Sequence, residues 1–80
     1  SKADERALWV CAADKLHNAN TILSDLERTI DQDAIWTRFK AGKQGTVRWY
    51  RAVYDRLREL GFKAPIMSEL ERTVRRLEAV

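Results

Sequence analysis

Apolar residues recur along the first third of the chain at steps of three and four: Leu8, Ala12, Leu16, Ala19, Leu23, Leu26 and Ile30. That period puts them on one face of a single long helix, predicted to run from a start signal in Ser1 to Asp4 as far as about Ile30. The other face carries Ala7, Val10, Cys11, Asp14, Asn18 and Thr21, of which only Asp14 is charged. A face turned to water normally bears Lys, Glu or Arg, so this helix is expected to be covered on both sides. Acidic capping residues from Asp31 to Asp33 precede a short second helix, predicted over 34–39. Lys40 to Gly45, with two glycines and two lysines, reads as a loop. A third helix then turns Val47, Tyr50, Val53, Tyr54, Leu57 and Leu60 to one side, with Gly61 as its stop. Pro65 suits the first turn of a fourth. That helix would face Ile66, Met67, Leu70, Val74 and Leu77 inward, with Glu69, Glu71, Arg72, Arg75 and Arg76 mostly outward. No strand alternation, internal repeat or low-complexity segment interrupts the pattern. The predicted fold is all-α, one long helix followed by two or three shorter ones.

Composition narrows the function without choosing it. Eighty residues make at most one small domain, burying only ~60% of the unfolded surface. An apolar share of 45% and a charged share of 34% are those of a soluble globular or helical protein. No run approaches the ~18 apolar residues of a membrane span, and the first residues do not resemble a signal peptide. The single cysteine, Cys11, cannot form an internal disulfide, so a reducing cytoplasm is the expected compartment. A net charge of +3 suits an anionic small molecule about as well as nucleic acid.

Asp14 and Asn18 lie one helical turn apart and can converge on one ligand. A carboxylate suits Mn²⁺ or Mg²⁺, and a carboxamide can hold a nucleotide nearby. His17, the only histidine, points elsewhere by about a sixth of a turn. On residue type alone, a salt bridge between Asp14 and Lys15 is the commoner outcome. Trp36 is either a stacking surface for a base or a core anchor, and Trp49 and Tyr50 carry the same ambiguity. Arg38, Lys40 and Lys43 can meet phosphates or stay solvated. Trp9 and Cys11 read as packing residues.

The segment Ala-Ala-Asp14-Lys-Leu-His-Asn18 resembles the last motif of the HD-type metal-dependent phosphohydrolases. It is most similar to the branch that removes the 3′-pyrophosphate of guanosine penta- and tetraphosphate (ppGpp), where the motif reads Ala-Asp-Lys/Arg-Leu-His/Tyr-Asn on a long helix. The stretch from Ala34 to Arg51 adds Trp-x-Arg-Phe, a Gly-Lys pair and Trp-Tyr-Arg, as in small HD proteins, so the likeness covers nearly the whole chain. The resemblance implies that Asp14 is the final ligand of a single divalent metal, usually Mn²⁺. It implies that Asn18 contacts the nucleotide, while His17 matches a position where relatives also carry tyrosine. Lys15, Trp36, Arg38, Lys40, Lys43 and Tyr50 join as candidate substrate-binding residues. The family's upstream histidine and adjacent His-Asp pair have no counterpart, because only thirteen residues precede Asp14.

The expectation is therefore a single partial domain over 1–80, the C-terminal part of an HD hydrolase domain. It would be inactive without the missing N-terminal half, which would supply the remaining metal ligands. Without that cover the open face of the first helix is expected to self-associate. A rival of another class is a helical nucleic-acid-binding module using Arg48, Arg51, Arg56, Arg58, Arg72, Arg75 and Arg76, and a third reading is a helical oligomerisation piece that associates through exposed apolar surface. Interspersed acids (Asp55, Glu59, Glu69, Glu71, Glu78) break any single-signed stripe and argue against nucleic acid as a partner.

Overall fold

In the computed structural model the backbone is described for residues 2–80 and the side chains from Asp4 onward; the start signal assigned to Ser1 lies outside them. The described residues fold into four helices: α1 (Lys2–Arg28), α2 (Gln32–Trp36), α3 (Gly42–Glu59) and α4 (Ile66–Ala79). With 27 residues, α1 rises ~40 Å and nearly spans the long axis of a body measuring 45 × 20 × 19 Å. Its main packing partner is α4, while α3 lies against both. The amphipathic stripes meet in one core. Ala12, Ala19, Leu23 and Leu26 enter it from α1, Tyr50, Tyr54 and Leu57 from α3, and Met67, Leu70, Val74 and Leu77 from α4. Leu70, Val74 and Leu77 are completely enclosed. None of the helices is long and apolar enough to cross a membrane, counting the described residues.

Five local expectations change. The first helix ends at Arg28, short of Ile30, which is fully exposed. Thr29 stops it: its hydroxyl accepts from the Asp31 amide (3.1 Å) and donates to the Asp31 carbonyl (3.2 Å), offering the backbone a local alternative to another helical turn. Ile22, outside the predicted stripe, takes a buried place. The second helix begins and ends earlier than predicted, and tight bonds from Arg38 to Ile35 and from Phe39 to Trp36 close the turn after it.

The loop expected over Lys40 to Gly45 is shorter, because α3 already begins at Gly42 and carries Lys43, Gln44 and Gly45 in its first turn. Gly42 makes the reversal at φ +68°, a conformation L side chains rarely tolerate. Gly45 is needed for proximity: a Cβ there would fall 2.5 Å from that of Ala41. At the other end of α3, Leu60 was expected inside but is half exposed. The Gly61 amide bonds to the Arg58 carbonyl and the Phe62 amide to that of Leu57 (2.9 and 3.1 Å). This is a Schellman stop with Gly61 at φ +81°, and it turns Phe62 inward in place of Leu60. The apolar face of α4 packs as the pattern predicts.

Polar ties frame this core. The Arg51 guanidinium grips Glu78 through two bonds of 3.0 and 2.6 Å, and Arg76 reaches Glu27 at 3.0 Å. Inside the seam, the buried Thr73 hydroxyl donates to Asn20 at 3.4 Å. Exposed ion pairs of this kind contribute at most about 1 kcal/mol each, so the apolar core carries most of the stability.

Candidate functional site

Helical spacing places Asp14, Asn18, Thr21 and Asp25 in line along α1. Oδ2 of Asp14 accepts from Lys15 Nζ at 3.1 Å and from Asn18 Nδ2 at 3.5 Å. The Lys15 ammonium also lies 5.0 Å from the centre of the Trp49 ring, within cation–π range. Trp49 meets Tyr50 edge to face at 5.0 Å. Tyr50 is buried, and burial pushes its phenol above the ordinary value; Lys15 pulls it back and Asp14 adds a smaller push. The phenol thus feels both members of the ion pair across the α1–α3 seam.

Two shallow grooves adjoin this cluster. One, of about 360 Å³, is lined by Asn18, Thr21, Ile22, Asp25, Arg38, Phe39 and Tyr50. Across it, Arg38 Nη2 donates to Asp25 Oδ2 at 3.3 Å. The second, of about 350 Å³, shares Phe39 and Tyr50 and adds Lys40, Ala41, Gly45, Thr46 and Trp49. Lys15, Arg38 and Lys40 thus stand beside aromatic surface, and two of these cations are paired, Lys15 with Asp14 and Arg38 with Asp25. Such a surface can hold an anion beside a planar ring.

Asp14, Lys15, Asn18, Arg38, Lys40 and Tyr50 are therefore gathered on one side of the molecule. Two other candidates lie elsewhere. Lys43 lines a separate groove with Gln44, Val47, Arg48, Leu77 and Glu78, because it belongs to the first turn of α3. Trp36 is in the core, 6% exposed, its ring 6.1 Å from that of Phe39. Its indole N–H finds no acceptor among the described residues. Trp9 packs edge to face on Phe62 at 5.7 Å. Phe39 and Asp25 are additions that the sequence reading passed over. Asp25 was within reach of it, since it continues the spacing of Asp14, Asn18 and Thr21; Phe39 is the phenylalanine of the Trp-x-Arg-Phe stretch, where only Trp36 and Arg38 were singled out.

The face of α1 predicted to be covered stands open, with Val10 64% exposed. A divalent cation of the Mn²⁺ type takes about six oxygen or nitrogen ligands. Asp14 brings one carboxylate, already engaged by two donors, and no three His, Cys, Asp or Glu side chains come together among the described residues. The residues present do not fit such an ion by themselves. No family model matches the chain, and neither a curated protein nor a solved structure matches it significantly.

Proposed function

We propose that this chain supplies the nucleotide-facing part of an HD-type metal-dependent phosphohydrolase, with guanosine polyphosphates carrying a 3′-pyrophosphate as the substrate class. The observation that carries this reading is the gathering of Asp14, Lys15 and Asn18 from α1 with Arg38 and Tyr50 from later segments. In this reading Asn18 orients the nucleotide by hydrogen bonds. Arg38 and Lys40 neutralise phosphate oxygens, and Trp49, half exposed, offers ring surface to the base. Asp14 contributes one ligand to a metal whose other ligands come from beyond the described residues, so the chain by itself binds substrate without turning it over.

The nucleic-acid rival has less support. Arg51, Arg56, Arg75 and Arg76 each pair with a carboxylate at 2.6 to 3.3 Å, which leaves less unopposed positive charge along α3 and α4 for a phosphate backbone.

Titrating guanosine tetraphosphate into the isotope-labelled 80-residue chain tests the proposal. Saturable amide shifts should appear at Asn18, Arg38 and Lys40, together with a shift of the Trp49 indole. Shifts confined to Lys43 and Arg48, or none at millimolar nucleotide, would reject it.

A further inference from the structure

We infer that Asp25 selects the anion that Arg38 takes, favouring a phosphate ester with a neighbouring hydroxyl, as in a ribonucleoside 3′-phosphate, over one without it. This rests on the reading of the groove between Asn18 and Arg38 as the seat of the nucleotide's phosphate. The pair meets through a single hydrogen bond, from Arg38 Nη2 to Asp25 Oδ2 at 3.3 Å. That is long for a bond between two ions, which usually closes to about 2.8 Å. Both side chains are part exposed, 58% for Arg38 and 39% for Asp25, so the pair adds little stability by itself. Among the described residues it leaves Oδ1 of Asp25 and the other guanidinium N–H groups of Arg38 uncommitted.

Both ends of the pair open on one groove, whose α1 wall runs from Asn18 through Thr21 to Asp25. The Thr21 hydroxyl donates its proton to the His17 carbonyl at 3.0 Å, so its oxygen can offer the groove only lone pairs. The wall at Asp25 thus accepts hydrogen bonds, while Arg38 donates them from a cation. An anion seated on Arg38 comes to rest close to the Asp25 carboxylate, because the two side chains touch. Like charge at that range weakens binding even in a water-like medium. A ligand offsets this by placing an O–H donor beside its phosphate, and the 2′-hydroxyl next to a ribose 3′-phosphate does so through covalent geometry. Carboxylates recognise ribose hydroxyls in this way at dinucleotide sites. Inorganic pyrophosphate and 2′-deoxynucleotides offer no such hydroxyl. Asp25 is therefore a specificity-determining residue, acting through one contact and one repulsion.

Guanosine 3′-monophosphate, its 2′-deoxy counterpart and inorganic pyrophosphate are the probes. Each is titrated into the isotope-labelled 80-residue chain and read by the Asn18 and Arg38 amide shifts. Wild type should bind the ribonucleotide about fivefold more tightly than the deoxynucleotide, the scale of one exposed hydrogen bond to a charged group. Asp25→Ala should erase that preference and tighten pyrophosphate binding about threefold. The helix tolerates the change, since it removes a negative charge from the last turn of α1. Asp25→Asn keeps an acceptor without the charge, and carries the test if the alanine variant loses helicity. It should tighten pyrophosphate equally and keep about a twofold ribose preference. Equal binding of the two nucleotides by wild type, or a full preference that survives Asp25→Ala, would overturn the role of Asp25 and leave the groove reading intact, provided the shifts stay at Asn18 and Arg38. Absence of saturable shifts at those residues with every probe would overturn both.

Discussion

The phenol of Tyr54 donates to Oε2 of Glu71 over 2.6 Å, joining the middle of α3 to α4. Tyr54 is a buried core residue and Glu71 lies at the rim, so this bond closes the polar edge of an otherwise apolar seam. The bond raises the tyrosine's pKa, with burial adding to it, and lowers that of Glu71, with Arg75 assisting. Tyr54→Phe should lower the melting temperature by several degrees without changing helicity at room temperature. A thermal scan by circular dichroism checks this; an unchanged midpoint would mean that the bond contributes nothing net.

Acid should weaken the fold through two carboxylates. Glu71 is held low by Tyr54, and Glu78 is held low by its hydrogen bonds to Arg51. A carboxylate whose folded-state pKa is depressed stabilises the protein above its unfolded value, here near 4.5, and loses that contribution as pH falls through the folded value. The alkaline side has the opposite sign: the raised Tyr54 contributes below pH 10 and loses its contribution as pH rises through the folded value. Urea midpoints across pH should therefore fall at both ends. Glu78→Gln should flatten the acid limb and Tyr54→Phe the alkaline one; limbs unchanged in these variants would remove the assignment.

Trp36 separates packing from ligand stacking. As a side chain 6% exposed, its replacement by alanine should cost ~3–5 kcal/mol, enough to unfold much of a small domain. Trp36→Phe should cost far less, since it also removes a buried donor that has no partner. Chemical denaturation measures both. An alanine variant as stable as wild type would return Trp36 to the list of ligand-facing residues.

The positions of Arg38 and Lys43 predict unequal effects on nucleotide binding. Arg38 stands at the groove beside Asn18 and Tyr50, whereas Lys43 faces a different one. Arg38→Gln should weaken guanosine tetraphosphate binding about tenfold, the scale of one charge-assisted hydrogen bond. Lys43→Gln should change it less than twofold, within the small effect of a screened, non-contacting charge. Calorimetry of both variants decides; a larger loss for Lys43 would move the site to the other groove.

Periodicity alone was enough for the helical content, because an amphipathic stripe is a local property: each residue's face follows from its own helix. Thus α4, the inner stripe of α1 and the Gly61 stop were legible from spacing and residue type. So was the polar line of Asp14, Asn18 and Thr21, which needs only the pitch of one helix. Where a chain reverses, its path decides. Gly42 starts α3 earlier than the loop-like composition suggests, moving Lys43 into a helical turn, and the Schellman stop exchanges Leu60 for Phe62. Spacing along the chain likewise says nothing of which side chain from one helix meets another. Only the packing of α3 on α1 brings Trp49 over Lys15, only the turn after α2 carries Arg38 to Asp25, and only the placement of α2 itself puts Trp36 in the core. Those pairings depend on how helices cross and how tightly small residues let them approach, information shared among distant positions and absent from any single stretch.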